Sequence, residues 1–200
     1  MKKIFAFVLV CALTLATFTA CNSGSSSSDA SSQGTSSSAG VSSQEASSEA
    51  VKDVSLTEIH DAVKKAYGDN YGASMEYPSD ILEEQFGLKK DMYDEVIAEG
   101  PMMSAHVDTF IAVKAAEGKA EAVEKALNDY RETQISGAMQ YPMNMPKIQA
   151  SRVIRKGDYV FFLMLGYISS EEEELDEEKQ VEAFQKQNDI GEKAITDLLG

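Results

Sequence analysis

The chain is poor in several residue types on which functional chemistry often rests. Its 200 residues contain two cysteines, two histidines and no tryptophan. That scarcity excludes Cys/His zinc sites, disulfide frameworks and cysteine nucleophiles. Bases are also few: 18 Lys and Arg stand against 33 Asp and Glu, a formal net charge of −15 with a pI near 4.5. Sequence-independent binding to nucleic acid needs clustered Lys and Arg on the phosphates, so nucleic acid is excluded as a partner. No Walker loop, Gly-x-Ser-x-Gly, His-Glu-x-x-His or dinucleotide fingerprint occurs. The sequence therefore nominates no catalytic, cofactor-binding or metal-ligating set.

What is present begins with an export pattern. Lys2 and Lys3 precede an apolar run over residues 4–15, IFAFVLVCALTL, and a small or polar stretch that ends at Cys21. Residues 4–20 carry no charge, yet 17 positions fall short of the roughly 20 that a membrane helix needs. Residues 1–20 therefore read as a signal peptide. Phe18-Thr19-Ala20-Cys21 resembles a bacterial lipobox, in which the Cys21 thiol carries the lipid, palmitate among the acyl chains. The alternative is ordinary cleavage after Ala20, leaving a secreted chain with a free thiol. Two or three acyl chains on one residue would hold the protein stably on the extracytoplasmic face of the cell membrane. Residues 22–49 follow with 14 serines in 28 positions and no Lys or Arg. Such a segment buries too little apolar surface to offset its ordering entropy, and reads as a disordered tether spanning roughly 30 Å.

Residues 50–200 have globular composition and the length of one domain. Ser55 and Glu58 form a capping box opening a helix with Leu56, Ile59, Val63 and Ala66 on its apolar stripe. Short helices are expected after Ser79 and around Met92, Tyr93, Val96 and Ile97. Alternation predicts a strand over residues 103–113, and a helix carries Val123, Ala126, Leu127 and Tyr130 up to Gly137. Residues 151–154 and 159–167 read as a hairpin with Lys156-Gly157 as its turn, and the second strand, YVFFLMLGY, is apolar on both faces. A long helix then runs from Ser169, with Val181, Phe184, Gly191, Ile195 and Leu198 inward. The expected fold is α+β, a small three-stranded antiparallel sheet of order 1-3-2 packed against several helices.

Two blocks carry a family resemblance. Residues 102–115, MMSAHVDTFIAVKA, and residues 143–164, containing KIQASRVIRKGDYVFFLM, resemble a lipoprotein family of Gram-positive, largely clostridial bacteria, domain of unknown function 4358. The resemblance implies an exported, membrane-anchored domain and brings no catalytic residues with it.

Several constellations remain to be placed. His106 and Asp108, two apart on the expected strand, would share a sheet face, where an imidazole and a carboxylate could begin base catalysis if a third partner joined them. His60 lies beside the stripe of the first helix and is expected to be exposed. Met102, Met103, Met139, Met143 and Met145 gather in connecting regions; thioethers fill core gaps, make adaptable surfaces, or with an imidazole suit Cu(I). Gly72 to Pro78 resembles Gly137 to Pro142, so Tyr77 and Tyr141 could border one groove if the unit is duplicated. Seven acids in residues 171–178 are favoured at a helix N-terminus and do not follow EF-hand spacing. The expectation is a non-enzymatic binding module for an envelope ligand or protein, with Tyr77, Tyr141, Met143, Met145, His106 and Asp108 as its surface. An envelope hydrolase using His106 and Asp108, or a structural assembly role, are the alternatives.

Overall fold

A strand apolar on both faces has to be covered twice, and the fold is the solution to that demand. The computed structural model describes residues 51–137 and 139–200. The signal segment, Cys21 and the tether lie outside the described residues. In chain order the elements are α1 (Leu56–Tyr67), β1 (Ala73–Glu76), α2 (Ser79–Glu84), β2 (Tyr93–Pro101), β3 (Thr109–Ala115) and α3 (Ala120–Ser136). Then come α4 (Met145–Ala150), β4 (Arg152–Lys156), β5 (Tyr159–Met164), α5 (Ser170–Glu173) and α6 (Glu177–Leu199). The strands form one antiparallel sheet of order β1-β2-β3-β5-β4.

β3 and β5 pair in register from Thr109 opposite Met164 to Lys114 opposite Tyr159. Their alternation sends side chains into two separate cores. Ile111, Val113, Val160, Phe162 and Met164 point to one face, where α2 brings Leu82 and α3 brings Val123, Leu127 and Tyr130. Phe110, Ala112, Tyr159, Phe161 and Leu163 point to the other, against Leu56, Ile59 and Val63 of α1 and Ile195 and Leu199 of α6. Helices on both sides leave little solvated surface on these two strands, which explains why they are apolar throughout except at Thr109 and the partly exposed Lys114.

The expected three-stranded sheet is thus corrected to five strands. β2 had helical spacing because of a bulge: the register shifts between Tyr93 and Glu95. One extra residue there lets Tyr93 and Val96, three apart, pack on the same core. β1 is four residues long and only Ala73 is buried, too little alternation to read. The expected strand over residues 103–113 begins at Thr109, with residues 102–108 forming a loop.

Local details differ as well. Lys156 pairs with Tyr159, so the hairpin turn is Gly157-Asp158, and Gly157 at φ 57° supplies the positive first position that primed turns require. Tyr67, not Ala66, completes the buried stripe of α1. The long acidic-capped helix is two: Ser169 and Glu172 form a capping box on α5, and Asp176 Oδ1 accepts from Lys179 N to open α6. Among the described residues no helix is long and apolar enough to cross a membrane.

Tyr130 stands edge-on to Phe86 at 4.7 Å and to Phe162 at 5.3 Å. Burial pushes its phenol up to about 12. The raised value means that the neutral phenol contributes stability below pH ~10, which is lost as pH climbs towards the folded-state value. Tyr130→Phe should leave neutral-pH stability nearly unchanged. It should remove about 3 kcal/mol of the alkaline loss between about pH 9 and about pH 12, read by urea denaturation at each pH. An unchanged alkaline loss in the variant would refute the assignment.

Candidate functional site

The loop before β3 and the α4 segment approach each other because Asn144 Nδ2 donates to Ala105 O at 2.9 Å. Two further ties fix the walls behind them. Arg131 of α3 donates to Ser151 O and Gln149 O, holding the C-terminal carbonyls of α4. Asn188 of α6, fully buried, donates to Ala150 O and accepts from Leu165 N, binding α4, β5 and α6 together. Between these elements lies a cavity of about 630 Å³. Residues 105–108 form one wall, Pro142 to Lys147 contribute a second, and Tyr167, Ile168 and Phe184 a third, with Glu173 and Glu177 on α5 and α6. The volume falls within the range of small-molecule sites. A second depression of about 550 Å³, around Gln149, Val181 and Gln185, opens more broadly to solvent.

Asp108 and Lys147 are the polar core of the larger cavity. Asp108 is 0% exposed and Lys147 5%. Lys147 Nζ donates to Asp108 Oδ1 at 2.6 Å. The same ammonium lies 4.6 Å from the centroid of the Tyr167 ring and 5.6 Å from that of Phe184, within cation–π range. Burial pulls the Lys147 pKa down, opposed by the charge and hydrogen bond of Asp108. Asp108 Oδ2 is buried and has no hydrogen-bond partner. Buried polar atoms are rarely left so, and this one marks the site. Gly72 backs the pair so closely that a Cβ there would stand 2.5 Å from Asp108 Cγ and 2.7 Å from the Tyr167 hydroxyl.

The structure distributes the expected surface residues unevenly. His106, Asp108 and Met143 line this cavity. His106 is exposed on the loop and Asp108 buried at its end, so the two do not share a strand face, and the Asp108 carboxylate faces Lys147. Tyr141 is exposed, and Met145 packs partly buried against the core on the α3 side of the sheet. Tyr77 packs edge-on to Phe86 at 5.0 Å, its ring filling the space beside Gly100. The two Tyr-Pro segments agree only at their prolines, each standing at the start of a helical turn: residues 73–76 form β1, whereas residues 139–140, which match 75–76, lie outside any strand. Met102, Met103 and Met139 are exposed. The acidic run caps helices, and among the described residues no group of three or more His, Cys, Asp or Glu is placed to hold a metal ion.

Lys147 and Tyr167 have no distinguishing signal in the sequence, Lys147 being a lysine two residues into a short helix, and Phe184 reads there only as an inward core position of the last helix, where it is indeed buried. His60 also differs from its expected exposure. Its side chain is 12% exposed, stacks on Phe110 and meets Glu99 Oε2 at 3.0 Å, while Tyr71 donates to the same oxygen at 2.9 Å. Burial and the Glu99 charge raise the Tyr71 phenol far above its ordinary value. This network pins α1 to β2.

Lys147→Met should leave the Asp108 carboxylate buried without its cation and destabilise the chain by about 3–5 kcal/mol. Adding Asp108→Asn should restore most of that loss, since no buried charge then remains. Urea denaturation of both variants checks this, and a Lys147→Met variant within about 1 kcal/mol of the parent would contradict it.

No curated protein and no solved structure matches the chain. A family model described as "Domain of unknown function (DUF4358)" matches residues 66–165. That segment holds Gly72, Asp108 and Lys147 and stops before Tyr167 and α6. Half of the chain is covered by the match, and the chain belongs to this family, Domain of unknown function (DUF4358).

Proposed function

We propose that this chain is a small-molecule binding module displayed on the extracytoplasmic face of a membrane, anchored through lipid on Cys21 and held off the surface by residues 22–49. The observation that carries the binding reading is the 630 Å³ cavity with a buried Asp108–Lys147 pair in its wall, one carboxylate oxygen of which lacks a donor. A buried ion pair is weak evidence for stability, because desolvating two charges offsets much of their attraction. Its position in a cavity wall, beside exposed Met143, is better accounted for by recognition. The hydrolase alternative has less support, since Asp108 engages Lys147 and His106 stands out in the loop. The anchoring part rests on the sequence pattern ending at Cys21.

Two experiments test the reading. A saturating ligand stabilises a folded protein by about 2.7 kcal/mol at 100 times its Kd, which is about 5–10 °C in Tm for a domain of this size. Some fraction of an envelope small-molecule extract should raise the Tm of the full chain by that order. Met143→Trp, which fills the cavity mouth from an exposed position, should abolish the shift. Extracts without effect, or with equal effect on the variant, would count against the proposal. For the anchor, cells fed labelled palmitate should label the parent but not Cys21→Ser, and the variant should move from membrane to medium. Retention of Cys21→Ser in the membrane fraction would overturn lipid anchoring.

A further inference from the structure

We infer that the cavity takes a ligand with a protonated amine head on an apolar body. The inference rests on the binding reading above and specifies its ligand class. Charge decides the head group. Asp108 and Lys147 cancel each other, and Glu173 and Glu177 are the other charged side chains in the lining. Neither glutamate takes part in an ion pair among the described residues: the Glu177 carboxylate accepts only from the Gln149 amide, at 2.7 Å. The wall is therefore net negative. An anionic head would face three carboxylates with the one ammonium already committed to Asp108 and to two aromatic faces.

Hydrogen bonding leads to the same class. Asp108 Oδ2 is a buried carboxylate oxygen, with the residue fully buried and the atom without a donor. Ionised carboxylates only accept, so the missing partner is a donor. A charged N–H is the strongest donor available to it. A neutral apolar ligand would leave that oxygen as it stands, orphaned and closed off from solvent, whereas an ammonium that reaches it by a small shift of the lining relieves an unsatisfied buried acceptor. The body follows from the remaining lining: Val107, Met143, Pro146, Ile168 and Phe184 present aliphatic, thioether and aromatic surface. Met143, exposed at the mouth, is a flexible side chain suited to an alkyl chain of variable shape.

The test uses the full chain and four defined probes: hexylammonium, hexanol, hexanoate and calcium ion. Binding is followed by calorimetric titration, with Tm as a second readout. Hexylammonium should bind at least about tenfold more tightly than hexanol or hexanoate, the size of one charge-assisted hydrogen bond. Asp108→Asn should erase that preference. Because this variant also strands Lys147, a second one keeps the pair intact: Glu173→Gln with Glu177→Gln should weaken hexylammonium about threefold to tenfold, leave hexanol unchanged and flatten the salt dependence. Hexanol or hexanoate binding as tightly as hexylammonium would overturn the amine assignment. So would calcium protecting the chain in preference to the amine. If no probe binds while an extract fraction still stabilises the parent and not Met143→Trp, the amine class fails and the binding module stands. If neither probes nor extracts act, both fail.

Discussion

The constraint on which everything else depends is the double burial of β3 and β5. Two adjacent strands that are apolar on both faces, except at Thr109 and Lys114 of β3, cannot lie at a solvated sheet face, so each face must recruit its own helices. α1 and α6, the first and last helices, cover one side, and α2 and α3, which lie between them in the chain, cover the other. Each core is continuous across both strands. A truncation at Phe161 or Phe162 would open a void in one layer only, yet the layers share the same backbone ladder, so the loss reaches both.

The candidate site sits where that layering ends. Past Met164 the chain leaves the sheet, and α4 and α6 converge at that end of β5 through Asn188. Asp108 immediately precedes β3, and Lys147 comes from the first turn of α4. Neither position is a sheet position, and both side chains are nevertheless buried. The pair is held by rigid elements on three sides: β3 through the chain, α3 through Arg131 and α6 through Asn188. Preorganisation of this kind lowers the ordering cost of binding.

How far the sequence discloses this varies by element for physical reasons. Helices α1 and α3 are legible because their stripes repeat at three and four residues with caps and breakers at the ends. The β4–β5 hairpin is legible through Gly157 and the doubly apolar run, although its turn lies one residue later than read. β2 is concealed because its bulge converts period two into an apparent helical spacing. The loop at residues 102–108 continues the alternation of β3 by coincidence of composition, which placed His106 and Asp108 on a face they do not share. At the site, Asp108, His106 and Met143 were visible as unusual residues in unusual places. Lys147 and Tyr167 were not, and Phe184 was legible only as an inward position of the last helix, because their role at the site exists only through contacts across 20 to 39 positions of chain, set by the packing of α4 against α6.

The sheet's two borders differ in how they refuse a neighbour. At one, β1 is four residues long and its pairing with β2 is interrupted between Ala73 and Met75. At the other, β4 carries Arg152, Arg155 and Lys156, with Arg152 paired to Asp189 and Glu192 and Arg155 to Glu124. A foreign strand docking there would have to strip water and partners from three cations, and one docking on β1 would find too short a ladder to repay its alignment. Growth of this sheet from molecule to molecule is thereby blocked at both ends, and copies can crowd one another without their β-structure becoming common property.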